Sequence, residues 1–427
     1  MSEPAINWPE KPLGDLFDLA RQPITPGAYP EEEFAHYSIP AWDEKRGPAI
    51  EPGATIGSAK IAITQPTILV SKLNPRIPRV VHLDNPHGLR HCASTEFMPY
   101  VPKSESVVLR FYRWFFESHL FQRRLERIAT GSTNSHKRAR PGETLGWNIP
   151  SPLPDDQEIM AAVLDTVDEA IAKTEGVIAK LRQVRAGLLH DLLTRGLDHH
   201  GQLRDPIAHP EQFQDSPLGQ IPKEWKAGEL GDLVSKDRPI VYGILMPGRG
   251  YRDGVPVIKV KDIRNGRIDT SDLLLTDPRI DEAYRRARVR TGDLLFTLRG
   301  TVGRMAFIPP ELNNANITQD TARVSLQDAD PLFIARWLET PVPARFIDVH
   351  TIGVAVRGIN LGEVRRIPVV VPPKEEQDTI ASIITTAEQQ IDAEIGVLEC
   401  LLKMKSGLMT DLLTGRVRVP ETLGRRP

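Results

Sequence analysis

Two cysteines in 427 residues, Cys92 and Cys400, supply neither a disulfide framework nor a metal-ligand spacing. No stretch reaches the ~18 consecutive apolar residues of a membrane-spanning helix, and the opening MSEPAINWPEKP is acidic and proline-rich, unlike a signal peptide. A cytoplasmic protein with no membrane contact is expected. The usual catalytic signatures are missing as well. The chain has no G-x-x-x-x-G-K-[ST] phosphate loop, no G-x-S-x-G elbow, no H-E-x-x-H and no G-x-G-x-x-G opening a helix. Asp84-Asn85-Pro86-His87 lacks the second proline and the aromatic residue of an amino-methyltransferase motif. Trp42-Asp43-Glu44-Lys45-Arg46 is an acidic-then-lysine run of a kind common on solvated surfaces, and His199-His200 has no third ligand at a recognisable spacing. Excess charge of one sign is also absent: the net charge is -2, so a nucleic-acid role has to rest on local patches.

What the chain does have is a second copy of part of itself. Pro152 to Thr194 and Pro372 to Thr414 align without a gap at an offset of 220, with 14 identities in 43 positions. The string W-x4-L-G-D-L also occurs twice, from Trp8 to Leu16 and from Trp225 to Leu233, at an offset of 217. A period near half the chain length implies two homologous halves and pseudo-two-fold symmetry rather than a solenoid of short units.

The repeated stretch reads as a long helix. Prolines at 150, 152 and 154, and again at 372 and 373, set firm starts, and acidic residues follow where the helix dipole favours them. From Met160 to Leu192 apolar residues fall on an alternating 4-and-3 grid, interrupted at Thr174 and Arg185, which is the period of a coiled-coil seam. Some 36 helical residues would make a rod about 54 Å long. Each copy needs a partner for its stripe, and the other copy can serve, running antiparallel. The expected helix-pair core is Val167, Ile171, Gly176, Ile178, Leu181 and Leu188 against Ile391, Gly396, Leu398, Leu401 and Leu408, with the recurring glycines marking close backbone approach at the crossing.

The intervening segments, roughly 140 residues each, share little sequence beyond the opening string. Short β-like runs (61–64, 67–70, 79–83 and 107–109; then 255–260, 293–297, 304–308 and 322–326) are punctuated by Pro and Gly. Charge is concentrated there. Residues 236–304 carry 15 Lys/Arg against 9 Asp/Glu, and residues 107–140 carry 8 against 2, including Arg110, Arg113, Arg123, Arg124, Arg127, Lys137 and Arg138. Such patches suit phosphate contact, with polar loop residues reading base edges. Duplicated ends around divergent middles suggest one scaffold presenting two different recognition surfaces.

With these features in view, the chain resembles the specificity subunit of type I DNA restriction–modification systems over nearly its whole length. The carriers are the helix ends GLLHDLLT and GLMTDLLT, the entry PPKEEQ, the string SPLGQIPKEW, the stretch Arg290 to Gly303, and Ile68 to Ile77 with Ser94 to Phe97. The resemblance implies an α+β fold in which two globular, β-rich target recognition domains (1–150 and 221–371) are separated by a pair of long antiparallel coiled-coil helices (151–195 and 372–415). A linker (196–220) and a basic tail (416–427) complete the chain. It also implies a non-catalytic subunit that reads a bipartite, asymmetric site in double-stranded DNA. Partners would be two modification (methyltransferase) subunits docked on the helices, and restriction subunits. S-adenosylmethionine, ATP and Mg would be bound by those partners and no cofactor by this chain. Lacking a clear G-D-[LI]-L turn, the first domain need not share fold details with the second.

The candidate DNA-binding residues are Ser71, Lys72, Asn74, Arg76 and Thr95 in the first domain. In the second they are Tyr242, Arg249, Lys259, Lys261, Arg264, Arg299, Arg304 and Gln319. Two other functions are compatible with the residues: a coiled-coil scaffold whose variable segments bind proteins, and a fused enzyme with an unrecognised site.

Overall fold

Two helices of 41 residues each, Pro154–Thr194 and Lys374–Thr414, occupy the repeated stretches. The structure is a computed structural model that describes residues 7–131, 133, 136–264, 266–353 and 357–418; the tail positions 419–427 lie outside them. The chain divides into two compact units, Met1–Gly176 with Ile395–Pro427, and Val177–Glu394, so each long helix contributes to both.

Every position of the 4-and-3 grid is buried or half-buried in both helices, from Met160 to Leu192 and from Ile380 to Leu412. Of the expected core, Ile171, Ile178 and Ile391 are buried, while Val167, Leu181, Leu188, Leu398, Leu401 and Leu408 are half-buried. The grid is not interrupted at Thr174 and Arg185, since both are shielded too. In the first unit Met160, Ala161 and Leu164 pack with Leu412, Leu413 and Leu408, and Asp168 meets Lys405. In the second, Leu188 and Leu192 pack with Ile380 and Ile384, and Arg185 meets Glu388. In each unit, rising numbers on one helix meet falling numbers on the other, so the paired halves run antiparallel. Each fully buried aliphatic side chain there contributes about 1.5–3 kcal/mol.

The glycines behave otherwise than expected. Gly176 and Gly396 are exposed, and a Cβ built on either meets nothing within 4 Å. Neither belongs to the helix-pair core, and no close approach demands them. Glycine is demanded instead just past the helix ends. Gly196 (φ 64°) and Gly415 (φ 73°) adopt the left-handed conformation that ends helices. A Cβ at Gly196 would lie 2.5 Å from the Trp225 ring, and one at Gly415 3.1 Å from the Trp8 ring. The two repeated tryptophans therefore cover the ends of the long helices.

The two divergent segments share one framework. An antiparallel pair closes each: Glu10–Pro12 with Asn148–Pro150, and Lys226–Glu229 with Pro368–Val371. Inside lies a four-stranded antiparallel sheet, in the order Phe17–Leu19, Phe97–Pro102, Thr67–Ser71, Val80–Leu83 in the first unit. In the second the order is Val241–Tyr242, Thr321–Val324, Leu294–Thr297, Met305–Phe307. A second sheet in each holds one parallel pair, Glu33–Tyr37 with Arg90–Ala93 and Val255–Ile258 with Asn316–Ile317. A helix pair follows each framework sheet, Leu109–Glu117 with His119–Arg127 and Pro331–Leu338 with Pro341–Val349. The fold details are thus largely common. Alternation on strands and stripes on helices require only apolar character at given places, so sequence identity can drift while topology persists. Residues 107–109, expected to be extended, lead instead into the helix Leu109–Glu117, because a short apolar run does not distinguish strand from helix.

Each domain is fastened to its long helix by matching bonds. Gln157 accepts from Val108 N at 2.9 Å and donates to Pro152 O at 2.8 Å; Gln377 accepts from Asp330 N at 2.7 Å and donates to Pro372 O at 2.8 Å. Arg113 donates to Asp168 at 3.1 Å and Arg336 to Glu388 at 3.0 Å. The segment between the halves is also ordered. Phe213–Ser216 pairs with Gly219–Pro222, and buried Arg204 donates to Glu376 at 2.7 Å. Glu376 also accepts from Leu197 N at 2.8 Å and Trp225 Nε1 at 3.1 Å.

Candidate nucleic-acid interface

In the second domain, backbone bonds bring most of the expected residues to one surface. Thr318 N donates to Ile258 O at 3.2 Å, beside Lys259, and Gln319 N donates to Ile244 O at 3.0 Å, two residues past Tyr242. Leu298 N donates to Asp320 O at 2.7 Å, which sets Arg299 3.6 Å from the Asp320 carboxylate. Arg304 reaches Ile263 O at 3.4 Å, and Arg264 reaches Lys261 O at 3.3 Å. Tyr242, Arg249, Lys261, Arg264, Arg299 and Arg304 are exposed, and Lys259 and Gln319 are half-exposed.

The cations here are held loosely. Lys261 lies 3.3 Å from Asp272 and 3.6 Å from Asp262, and its hydrogen bond to Asp272 raises its ammonium above the ordinary lysine range. It is fully charged at neutral pH and can exchange an exposed carboxylate for a phosphate. Arg323 contrasts with it. Buried, its guanidinium donates to Arg288 O at 3.1 Å and Pro239 O at 3.0 Å, and burial pulls it down to about 10. It ties loops together rather than facing solvent.

In the first domain the expected residues divide. Ser71 is buried, and its hydroxyl donates to Leu73 O at 3.1 Å and accepts from Leu73 N at 3.2 Å, so it shapes the end of its strand and is not available to a ligand. Asn74 takes a left-handed φ of 47°, with its N bonded to Lys137 O at 2.8 Å. Lys72 N donates to Glu96 O at 2.9 Å, and Glu96 also accepts from Arg138 at 3.0 Å. These bonds gather half-exposed Lys72, Asn74 and Lys137 with exposed Arg76, Thr95 and Arg138.

The basic run from 107 to 140 is not one face. Arg110 pairs with Asp165 at 2.5 Å and Arg113 with Glu117 at 3.0 Å and with Asp168, so both fasten the domain to the long helix. Arg124 sits 4.7 Å over the Trp147 ring and donates to Asn148 O at 2.9 Å. Arg79, buried, makes a two-pronged pair with Asp43 at 2.6 and 2.7 Å, which assigns that acidic-then-lysine run a structural role. Sequence reasoning picked Arg249 from the loop between Gly243 and Gly254 but missed its exposed Leu245, Met246 and Tyr251. Its signal was a short apolar string, Ile244-Leu245-Met246, inside a basic, glycine-rich loop.

Among the described residues no group of three or more His, Cys, Asp or Glu could hold a metal ion. No helix among them is long and apolar enough to cross a membrane. Cys92 is buried, which pushes its thiol up to about 11, and His199 and His200 are exposed.

Residues 222–401 match the family model described as type I restriction modification DNA specificity domain. The type I restriction enzyme EcoBI specificity subunit of Escherichia coli is 30% identical over 238 residues, covering 54% of this chain and 49% of the relative. A putative type I restriction enzyme MjaX specificity subunit of Methanocaldococcus jannaschii is 27% identical over 278 residues, covering 64% and 59%. The chain thus spans about half the length of the curated relatives it matches. Two solved structures share the fold, each with a TM-score of 0.55. One is the S subunit of a type I restriction–modification system from M. genitalium, at 16% identity and 96% of both chains. The other is a chain from a structure concerned with complex assembly and conformational transition of the type I R-M system, at 18% identity, 98% of this chain and 100% of that one. Family model, curated relatives and fold point the same way: residues 222–401 match a type I restriction modification DNA specificity domain, and the chain is similar to type I restriction enzyme specificity subunits.

Proposed function

We propose that this chain reads double-stranded DNA for a type I restriction–modification complex, each globular domain recognising one half of a bipartite, asymmetric target. The observation that carries this is one framework built twice with different exposed loops: Lys259, Lys261, Arg299 and Gln319 in one copy, and Lys72, Asn74, Arg76 and Thr95 in the other. Two unlike surfaces on like scaffolds suit two unlike half-sites. Phosphate contacts by the lysines and arginines supply affinity, and polar side chains on the loops read base edges.

The long helices set the unread spacing and receive two methyltransferase subunits. Exposed Val177 and Val184 on one helix have exposed counterparts Val397 and Met404 at the 220-residue offset on the other, which supports two equivalent docking stripes. The chain itself is non-catalytic. Adenine methylation with S-adenosylmethionine, and ATP- and Mg-dependent translocation and cleavage with the restriction subunits, belong to its partners, all in the cytoplasm.

The test is a band-shift of the chain assembled with its methyltransferase against a duplex library at several salt concentrations. One bipartite sequence with a steep salt dependence is expected. Sequence-indifferent binding overturns the proposal. Inserting four residues into both long helices should lengthen the spacer and leave both half-sites intact; an unchanged spacer removes the measuring role.

A further inference from the structure

The loop from Gly243 to Gly254 is fastened at both ends and apolar at its tip. At one end Ile244 N donates to Ile317 O at 2.7 Å, and the next residues along are exposed Leu245 (48%) and Met246 (83%). Gly243 allows this approach, because a Cβ there would fall 1.8 Å from Ile317 O. Just past the tip Thr276 Oγ1 donates to Pro247 O at 2.8 Å, and towards the other end Tyr251 N donates to Leu275 O at 2.9 Å. Between these fastenings the tip is held out, not packed back.

Exposed apolar side chains on a preformed loop lose little conformational freedom when they meet a partner, and in water they gain nothing by standing free. The partner's chemistry follows from the neighbours. Arg249 lies on the same loop, and Gly250 and Tyr251 share a concave surface with Lys259 and Lys261. An apolar tip on the same loop as Arg249, next to a surface that carries Lys259 and Lys261 with Asp272 as the exposed counter-ion of Lys261, fits a polyanion with an apolar interior, which is stacked duplex DNA. Apolar side chains inserted at a base step unstack it and kink the duplex.

We infer that Leu245 and Met246 form a wedge that enters one base step of the half-site read by the second domain. This rests on the DNA-reading function proposed above. The wedge opens a step, while Lys259, Lys261 and Arg299 hold the flanking backbone.

The experiment uses the chain assembled with its methyltransferase and target duplexes carrying 2-aminopurine at successive positions, the methylated adenine excepted. Fluorescence should rise several-fold at one step of that half-site. The double variant L245A/M246A should lose the rise and bind about ten-fold more weakly, with the same preferred sequence and salt slope. M246L should restore it. Both residues are exposed, so unaltered melting of the variants is the folding control. An unchanged rise in L245A/M246A, or no unstacked step with the unsubstituted chain, overturns the wedge and leaves DNA reading intact. Failure of the unsubstituted complex to select any bipartite sequence overturns both. Loss of assembly with the methyltransferase in L245A/M246A makes the tip a protein contact and overturns the wedge.

Discussion

Lys405 Nζ lies 2.6 Å from Asp168 Oδ1, and a shift of 220 positions turns this pair into Arg185 and Glu388, which meet at 2.5 Å. In one unit the first long helix supplies the acid, in the other the base. Each acid also receives an arginine from its own globular domain, Arg113 or Arg336, and each arginine precedes a tryptophan. These two three-membered clusters are the charged counterpart of the apolar seam.

Because each carboxylate serves two cations, removing the acid should cost more than removing the seam base. D168A is expected to cost roughly 2 kcal/mol and K405A about half of that, the partly exposed geometry limiting both. The charge swap D168K/K405D should not restore stability, since the introduced ammonium would face the Arg113 guanidinium. Urea unfolding of the four chains checks this, and full recovery in the swap would remove Arg113 from the cluster.

Glycine substitutions should divide by place. Gly176 and Gly396 meet nothing where a Cβ would stand, so G176A and G396A should each stabilise by about 0.5–1 kcal/mol through helix propensity. G196A should destabilise by more than about 1 kcal/mol, since φ is 64° and the new Cβ would lie 2.3 Å from Glu376 Oε1. Thermal melting of the three variants distinguishes them, and stabilisation by G196A would contradict the crowded helix end.

Acid titration should expose Glu117. Burial lifts its carboxyl above the ordinary glutamate range, and the neighbouring Arg113 recovers only part of that shift. A raised carboxyl binds its proton more tightly folded than unfolded, so its contribution to stability grows as pH falls from the raised value to the ordinary one. The stability of the unsubstituted protein minus that of E117Q should therefore increase on acidification through that window. Asp168 acts in the opposite sense and lower down. Burial would raise it, but the bonds to Lys405 and Arg113 hold it below the usual range, so its contribution is lost only as pH falls through that depressed value. A flat difference for E117Q on acidification down to the ordinary glutamate value would be the contrary result.

The basic residues should separate by role. R110A and R113A remove partners of Asp165 and Asp168 and should lower melting temperature while leaving the salt slope of DNA binding by the assembled complex unchanged. K261A and R299A should leave melting unchanged and each reduce the slope by about 0.9 if one phosphate contact is lost. Equal slopes for all four variants would contradict the division.

Much of the architecture was legible because it is periodic. The 220-residue repeat, the proline entries and the 4-and-3 grid specified two long helices with matching buried faces, and each grid position from Met160 to Leu192 is shielded. The charged clusters were half visible. Arg185 read as an interruption of the seam, because a sequence shows that a cation stands in an apolar stripe but not that Glu388 stands opposite. The repeated Arg-Trp pairs at 113 and 336 were the available signal.

The surface was legible only as composition. Arg110, Arg113 and Arg138 stand in one basic run, but the helix Leu109–Glu117 turns the first two onto Asp165 and Asp168, while Arg138 meets Glu96 beside Asn74. Ser71 and Thr95 both looked like candidates, and strand pairing buried Ser71 while Thr95 stands exposed in the turn before Phe97–Pro102. The sequence by itself determined the duplication, the helices and their seam, because these depend on residue spacing along one chain. Only the tertiary structure decided which cations face solvent, which glycines are required and where Leu245 and Met246 project. Those depend on which backbone lies across from each side chain, and distant segments such as Ile317 and Thr276 supply it.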